Sequence, residues 1–565
     1  MDARPLTQQL QERHTQLTQE RANWVPHWKT LSEHLLPRSG RFTTSDRNKG
    51  GADKFNSIID STGTKALHTL GAGLMAGMTS PARPWFRLAT SDEDLMESED
   101  VQDWLATVTR TMLEIFHRSN TYRALHSLYE ELGCFGTGAT IILPNYDTVV
   151  HHHSLTAGEY SLATDANGRV NTMMREFDMT VAQVVREFGI DNVSANVKSL
   201  YNKSQLGNWI TVIHAIEPRD DRDVRMKDNK NKKFRSTYFE FAKNSDRGGD
   251  TVLRDGGFDR FPVLGARWMV HGGDVYGTSP GMEALGDVKQ LQHQQLRKAE
   301  GIDYQTRPPL AVPASMKGHE IDTLPGGVMY YDGQGTQTIK SAFDVNLNMQ
   351  HLLMDIQDVR ERIRSSFYAD LFMMIANDQR SGVTAREISE RHEEKLLMLG
   401  PVLERLHDEL LSPLIDITFD HMITVDMLPK PPPQMNGIDL KVEFVSMLAQ
   451  AQRAVGVAGV ERLTTYVGQL AMAKQDPSVW DNLDTDQLIN GYADMTGVDP
   501  KFIVGNEKMA LIRGQREQQQ QQQQAIMMAQ QAAETASTMG NTPTKSATGE
   551  ESNALSDITR QFTQL

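Results

Sequence analysis

Apolar side chains recur at helical spacing over much of the chain. In the first 36 residues the intervals are three, four or seven, which places the apolar positions on one face of a helix, and Pro37 ends the pattern. The positions are Leu6, Leu10, Leu17, Trp24, Trp28, Leu31 and Leu35. A second helix is predicted from Asn56 to Met78, because Ser80-Pro81 stops the apolar periodicity there.

The middle of the chain has a different pattern. From Thr140 to Met174, short apolar runs alternate with turn residues, which predicts strands, and Asp165-Ala-Asn-Gly168 predicts a hairpin loop. A short amphipathic helix is predicted from Met179 to Phe188. Further strands are predicted at Trp209–Ile216, Phe234–Phe241 and Thr251–Leu253. The segment from Arg219 to Arg260, which contains the last two of these strands, is therefore predicted to be a compact β-rich insertion.

Long helices return after this insertion. Ser279-Pro280 provides an N-cap followed by a proline at the first helical position, and helix-forming sequence continues to about Glu300. Two apolar stripes mark further helices: Leu352, Ile356, Val359, Ile363 and Phe367, then Leu396, Leu399, Leu403, Leu406 and Leu410. A third helical region is predicted from Val442 to Ala473. The chain is therefore predicted to be α+β and mainly helical.

The end of the chain is rich in polar residues. Seven consecutive glutamines, Gln518 to Gln524, precede a stretch rich in Ser, Thr, Gly and Ala that extends to Leu565. This composition predicts a tail, residues 510–565, that is helical at first and largely disordered later.

Length and charge narrow the class of protein. With 565 residues the chain can form several domains, and 58 Lys and Arg against 73 Asp and Glu give a formal net charge of −15. Such a surface repels phosphate and anionic lipid, which argues against a protein that simply coats nucleic acid. The one cysteine, Cys134, favours intracellular folding. The most apolar stretch, Ala66 to Met78, is too short for a membrane span, and the N-terminus lacks the pattern of a secretory signal.

Catalytic and cofactor motifs give no support to an enzyme. No Gly-rich phosphate loop of the GxxxxGK[ST] type occurs, because Thr544 stands where the second glycine belongs in Gly540 to Ser546. The glycines at 71, 73 and 77 have one residue too many for a dinucleotide fingerprint and lie in a predicted helix, which favours close helix packing. His151-His-His153 would point to alternate faces of a strand, so a metal site is not expected. We therefore predict no catalytic residue, no cofactor and no metal.

A basic run stands out in this acidic chain. Six positive residues lie close together: Arg225, Lys227, Lys230, Lys232, Lys233 and Arg235. One interpretation is a solvated hairpin tip. The other is a docking patch for an acidic protein surface or for DNA phosphate.

A short polar connection lies between two strongly amphipathic helices. It consists of Asn377, Asp378, Gln379, Arg380, Ser381 and Gly382. Thr384 and Glu387 form a capping-box signature, which places the start of the next helix directly after this connection.

Five blocks of the sequence, in this order, resemble the head-to-tail connector, or portal, proteins of short-tailed bacteriophages. They are Trp24 to Pro37 (WVPHWKTLSEHLLP), Asp60 to Leu88, Gly133 to Ala139 (GCFGTGA), Tyr276 to Leu291 (YGTSPGMEALGDVKQL) and Val383 to Asp416. No single block is diagnostic, but five in order over roughly 400 residues are fairly specific. The resemblance does not extend residue by residue beyond Gly514.

The resemblance implies a ring, commonly of about twelve subunits, at one capsid vertex, with a channel for DNA. Its implied segments are a wing of α/β type (1–178 and 306–345), a stem (179–202 and 278–305), a small β-rich clip (203–277), a wing helix with the tunnel loop (346–383), wing-to-crown helices (384–509) and a flexible tail (510–565). On this basis residues 377–382 are the tunnel loop, with Arg380 reaching DNA, and the basic run lies on the clip.

The resemblance also implies partners and a location. The partners are other copies of the chain, the packaging motor (terminase), tail adaptor and tail proteins, capsid and scaffolding proteins, and double-stranded DNA that passes without sequence-specific contacts. The expected location is the virion vertex, after synthesis and assembly in the host cytoplasm, with no membrane involved. A separate motor hydrolyses ATP in this family, which agrees with the missing phosphate loop. Two alternatives remain: an internal scaffolding or assembly protein without a DNA channel, and an uncharacterised enzyme.

Overall fold

The computed structural model describes residues 5–42, 55–92, 94–226, 228–241, 251–306, 310–311, 340–341, 349–377, 398–435, 440–474, 477–496, 506–540, 543–545 and 551–553. The chain divides into two compact units. The first comprises residues 1–91 and 103–458, and the second comprises residues 92–102 and 459–565.

Helices account for most of the described residues. They are α1 (Leu6–Arg21), α2 (Val25–Leu35), α3 (Thr62–Met78), α4 (Glu99–Arg118), α5 (Thr121–Phe135), α6 (Val181–Phe188), α7 (Ala195–Asn202), α8 (Pro280–Thr306), α9 (Met349–Ser366), α10 (Ala369–Asn377), α11 (398–406, a π-helical turn at His407–Leu411 and Ser412–Thr424), α12 (Met447–Lys474), α13 (Thr485–Thr496) and α14 (Asn506–Gly540).

Fourteen strands are defined in the described ranges. They are β1 (Phe86–Thr90), β2 (Thr137–Asn145), β3 (Val149–Leu155), β4 (Tyr160–Thr164), β5 (Val170–Thr180), β6 (Trp209–Pro218), β7 (Phe234–Glu240), β8 (Val252–Phe258), β9 (Val263–Arg267), β10 (Leu310–Ala311), β11 (Lys340–Ser341), β12 (Leu440–Phe444), β13 (Pro543–Lys545) and β14 (Glu551–Asn553). The prediction of a mainly helical α+β protein is thus confirmed.

The first unit contains a five-stranded antiparallel sheet with the order β4-β5-β6-β7-β8. Leu10 and Leu17 of α1 pack against one face, in a cluster with Met174, Ile213 and Phe239. Helices α6 and α7 cover other positions of the sheet through a separate apolar cluster. The strands predicted at 209–216, 234–241 and 251–253 are confirmed, and so is the hairpin at Asp165, whose backbone N–H and C=O pair with Arg169 and Gly168.

This sheet crosses the predicted segment boundaries. Strands β6 to β8 lie in the predicted clip, whereas β4 and most of β5 lie in the predicted first part of the wing. The predicted stem segment 179–202 contains two helices of eight residues each, α6 and α7. The wing, stem and clip assignments therefore stay predictions, and their boundaries separate strands that pair with one another.

A three-stranded sheet, β3-β2-β9, packs against α5. Helix α5 ends at Gly136, whose φ of 75° lies in the left-handed region that glycine tolerates best, and β2 begins at the next residue. Cys134 at the end of α5 is completely buried, as expected for a small core residue.

Helix α3 packs closely against its neighbours through its glycines. A Cβ atom at Gly71 would lie 2.9 Å from Cγ of Glu130 on α5, and a Cβ atom at Gly77 would lie 2.8 Å from Leu448. At Gly73 it would overlap the ring of Phe372 on α10. The interpretation of these glycines as helix-packing positions is confirmed.

Two predicted helices begin later than expected. Helix α3 begins at Thr62 and not at Asn56, because the carboxylate of Asp60 accepts hydrogen bonds from the backbone N–H (2.9 Å) and hydroxyl (2.5 Å) of Thr62. The helix predicted from Val442 begins at Met447, because Leu440–Phe444 alternate polar and apolar side chains and pair with β1 as a strand.

In the second unit, α14 runs for 35 residues and contains all seven glutamines of the predicted tail. The early part of the tail is thus helical, as predicted. Residues 541–542, 546–550 and 554–565 lie outside the described ranges.

Candidate functional site

The basic run lies in the connection between β6 and β7, except for Arg235, which is the second residue of β7. Polar side chains of the connection form hydrogen bonds that organise it. The backbone N–H of Asp223 donates to Oδ1 of Asn231 (2.9 Å), and Nδ2 of Asn231 donates to Oδ1 of Asp228 (2.6 Å). The backbone N–H of Arg225 donates to the Asp223 carboxylate (3.0 Å). These bonds fold the connection into successive turns, so its charged side chains are presented from a defined backbone.

Arg219 fixes the base of this connection to the sheet. Its guanidinium group is buried and donates to the carbonyl of Gly256 (3.0 Å) and to Oδ1 of Asp255 (3.3 Å), both on β8. It also donates to the carbonyl of Lys230. One arginine thus ties the loop that carries the basic run to the edge strand of the sheet.

Carboxylates neutralise part of the predicted patch. Nη2 of Arg235 lies 2.8 Å from both oxygens of Asp221, and Nζ of Lys232 lies 3.4 Å from Asp259. Arg225, Lys230 and Lys233 are exposed and have no carboxylate partner among the described residues. Lys227 lies outside those residues. The free positive charge is therefore smaller than the sequence predicts, because acidic residues close in space but not in the run reach two of the six cations.

The predicted tunnel loop lies almost entirely outside the described residues. Asn377 is the last residue of α10, and residues 378–397 are outside, which includes Arg380 and the predicted capping box at Thr384 and Glu387. The structure thus shows only that a helix, α10, ends at the first residue of the predicted loop.

A cavity of about 560 Å³ lies beside α10 and was not predicted. It is lined by the residues before α3, the first turns of α3, Gln295 of α8, two arginines of α9 and Met373 of α10. Its two arginines, Arg360 and Arg364, lie next to the apolar stripe of α9 and are not part of it. The spacing of apolar residues therefore gives no sign that a cavity is present.

The buried ionisable groups in the first unit have the character of structural residues. Burial, with His151 nearby, lowers the pKa of His152 to about 3, so its ring is neutral. Burial raises the pKa of the Cys134 thiol, which keeps it protonated. Within the described ranges, no three His, Cys, Asp or Glu side chains converge in the way that a metal ion requires. No helix in these ranges is both long and apolar enough to span a membrane.

Comparisons with known proteins give a consistent result. A family model described as "Bacteriophage head to tail connecting protein" matches residues 7–504. The probable portal protein of Bordetella phage BPP-1 is 55% identical over 548 residues, which is 97% of each chain. The portal protein of Salmonella phage epsilon15 is 45% identical over 532 residues, which is 94% of each chain.

Solved structures show weaker similarity. A chain from the neck of an empty GTA particle computed with C6 symmetry has a TM-score of 0.35 and 12% identity, covering 78% of this chain and 96% of that chain. A chain from the neck of a native GTA particle computed with C12 symmetry has a TM-score of 0.31 and 13% identity, covering 72% and 89%. Both TM-scores are below 0.5, so the assignment depends on the sequence matches alone. On those matches the chain belongs to the bacteriophage head-to-tail connecting proteins, the portal proteins of the phage head, and it is a structural protein and not an enzyme.

Proposed function

We propose that this chain assembles into a closed ring of about twelve copies at one capsid vertex, with a channel through which double-stranded DNA is packaged and ejected. The match to the connector family over residues 7–504 is the observation that carries this proposal. The same ring serves as the platform on which the packaging motor and later the tail proteins dock.

The charge of the chain suits this role. DNA carries about one negative charge per 1.7 Å of its axis, so a basic lining would hold it through many phosphate contacts. Each chain has a formal charge of −15, and twelve chains would have about −180. An acidic channel wall lets DNA slide, and a single arginine per subunit in the predicted tunnel loop, Arg380, supplies transient contacts in this proposal.

Three exposed cations serve as the docking patch in this proposal. Arg225, Lys230 and Lys233 project from the organised connection between β6 and β7, which is anchored to the sheet through Arg219. A positive patch on an acidic ring attracts an acidic partner surface and speeds its association. Residues 203–277, which include this connection, are assigned to the clip on the same grounds.

Electron microscopy and native mass spectrometry of the purified protein test the ring. We expect closed rings of about twelve subunits at micromolar concentration. A chain that stays monomeric under assembly conditions would overturn the proposal. Mature particles provide the second readout: a portal remains in them at one vertex, whereas a scaffolding protein is absent from them.

A further inference from the structure

The cavity beside α10 is positively charged. Lys65 of α3 and Arg360 and Arg364 of α9 line it, and Asp60 is the one acidic residue among the described residues of its lining. A local excess of two positive charges is unusual in a chain whose formal charge is −15. A cavity of this kind is suited to an anionic group.

Asp60 and Arg360 neutralise each other and form the floor of the cavity. Nη2 of Arg360 lies 2.7 Å from Oδ2 of Asp60, and the Gln295 amide donates to the same oxygen at 3.0 Å. Burial acts to raise the pKa of Asp60, but the hydrogen bonds from Thr62 and Arg360 outweigh it and hold that pKa below its ordinary value. Asp60 is therefore ionised and fully hydrogen-bonded.

Lys65 and Arg364 remain available in this cavity. Neither side chain has a carboxylate partner among the residues that the structure describes, and Arg364 is half-buried. A half-buried guanidinium group is stabilised by an oxyanion that can accept two parallel hydrogen bonds. An added carboxylate or phosphate group would therefore reduce the excess positive charge of this cavity.

The hairpin tip between β2 and β3 has the complementary character. Tyr146 is fully exposed (109%), and neither it nor Asp147 has a side-chain partner in the described part of the chain. Oδ1 of Asn145 accepts hydrogen bonds from the backbone N–H groups of Asp147 (2.8 Å) and Thr148 (3.1 Å). This turn therefore presents an aromatic ring and a carboxylate next to each other on a fixed backbone.

The backbone of the tip is strained at one residue. Val149 has a φ of 66°, a left-handed conformation that is costly for a β-branched side chain. Such strain tends to persist at binding sites, because the surrounding structure maintains a conformation that the local sequence does not favour.

Helix α3, which lines the cavity, and the base of the β2–β3 hairpin lie on opposite sides of helix α5. Glu130 and Gly133 of α5 contact α3, which forms one wall of the cavity. Leu128, Leu132 and Glu131 contact Gly138 and Thr156 at the base of the β2–β3 hairpin, from which the two strands run on to the tip. At about 100° per residue, these two sets of positions are centred roughly 180° apart around the helix axis. A head-to-tail ring needs two different, complementary features on opposite sides of each subunit.

From this arrangement we propose that the β2–β3 hairpin tip of one copy docks in the cationic cavity of the next copy. The carboxylate of Asp147 pairs with Arg364 and Lys65, and the Tyr146 ring packs over the Arg364 guanidinium. The inference rests on the proposed ring, because it names one contact that closes the ring. The occupant is a second copy of this chain and not DNA, because Ile59 and Met373 line the cavity beside its cations. The tip supplies an aromatic ring next to its carboxylate, whereas a phosphate supplies only the anion.

A charge-swap experiment tests this contact. Wild type, Asp147→Arg, Arg364→Asp and the double variant are assembled at equal concentration, and native mass spectrometry measures the ring fraction. We expect each single variant to lower that fraction at least tenfold, because the like-charge contact recurs at every interface. In the double variant the opposite charges meet again, and we expect at least half of the wild-type fraction.

Matched control variants show whether the loss of ring assembly is specific to Asp147 and Arg364. Asp191→Arg and Arg123→Asp make the same charge changes at other exposed positions, and both should assemble as wild type. Circular dichroism melts of all six proteins show whether each variant is folded. A folded single variant that assembles normally overturns the inference, and so does a double variant no better than the single ones.

A DNA-binding measurement distinguishes DNA from a second copy of the chain as the occupant of the cavity. If Arg364→Asp weakens binding of a short labelled DNA duplex tenfold and Asp147→Arg does not, the cavity binds phosphate and the inference is wrong. The oligomeric state of the wild-type protein shows whether a failure concerns this contact or the proposed ring. Wild-type rings with unaffected variants disprove only this contact, whereas a monomeric wild type disproves the ring itself.

Discussion

Arg267 and Glu409 form a two-pronged ion pair inside the first unit. Nη2 of Arg267 lies 2.6 Å from Oε1 of Glu409, and its Nε lies 3.2 Å from Oε2. The backbone N–H of Arg267 donates to the same carboxylate at 3.0 Å. The pair joins strand β9 to the π-helical turn of α11, so it fixes an irregular part of that helix against a sheet.

We expect Glu409→Leu and Arg267→Met each to lower the free energy of unfolding by about 3 kcal/mol, because either change removes the main opposite charge of a buried group. After Arg267→Met, Glu409 keeps only the longer contact with Arg405 (3.4 Å). The double variant Arg267→Met/Glu409→Leu should be far closer to wild type. Denaturant unfolding measures all three, and a double variant that loses the sum of both single effects would contradict this account.

Gly73 should not tolerate a side chain. An alanine there must displace the ring of Phe372, so we expect Gly73→Ala to lower stability by about 1–3 kcal/mol. Gly286 in α8 is the matched control, because it is exposed and a Cβ atom added there would meet nothing within 4 Å. Gly286→Ala should raise stability by about 0.5–1 kcal/mol. Thermal melts of the two variants should shift in opposite directions.

Glu131 should make stability depend on pH. Burial raises the pKa of this carboxyl group to about 7, although Thr156 and Ala157 donate hydrogen bonds to it. Between pH 4.5 and 7 the folded protein keeps a proton that the unfolded chain releases, so stability falls as pH rises through this window. The total loss is about 3 kcal/mol and is complete above pH 7.

Glu131→Gln should flatten this dependence, because the amide does not ionise. Unfolding measured at pH 5 and at pH 8 compares it with wild type and with Glu114→Gln, which changes an exposed carboxylate. Equal pH dependence in Glu131→Gln and wild type would show that another group is responsible.

The basic patch is tested by reversing only its unpaired cations. We expect the combined change of Arg225, Lys230 and Lys233 to Glu to slow association with the packaging motor about tenfold at low salt and to weaken the salt dependence of that rate. Arg110, Arg123 and Lys430 changed together to Glu reverse three charges at exposed positions outside residues 203–277 and serve as the control. If stopped-flow rates are the same for both proteins, the run is only a solvated loop.

Arg380 is tested by genome packaging. We expect Arg380→Ala to leave ring assembly normal and to lower the amount of DNA retained in particles severalfold, because a ring of guanidinium groups would otherwise contact phosphates. Gln379→Ala, in the same loop, removes no charge and should package as wild type. If particles with Arg380→Ala retain a full-length genome at the wild-type level, Arg380 does not contact the DNA.

The sequence predicted the periodic elements well. Helix α8 begins directly after Ser279, whose hydroxyl accepts the N–H of Met282 at 3.1 Å, and the stripe at Ile356, Val359 and Ile363 is buried. An N-cap and an apolar helical stripe depend on residues only three or four positions apart, so the spacing of residue types along the chain predicts them.

Contacts between distant segments could not be predicted in this way. The prediction of a helix from Val442 onward was wrong for the residues of strand β12. These five residues form a strand by pairing with β1, which is distant in the sequence. The partners of Arg235 and Lys232, Asp221 and Asp259, lie outside the basic run, so the sequence overestimated the free charge. The cationic cavity combines residues from four helices, and no local pattern brings these together.

Strand β1 cannot pair during synthesis of the chain until its partner β12 has been made. Arg87 and Glu443, 356 positions apart, lie side by side across this two-stranded sheet, with Nε of Arg87 2.7 Å from the Glu443 carboxylate. At about 5–20 residues per second, β1 leaves the ribosome roughly 20–70 s before its partner is made. During that time the N-terminal half presents an unpaired strand edge, which is a site of aggregation for nascent chains. Every copy that joins a ring has therefore passed through a period in which its own fold leaves this strand edge uncovered.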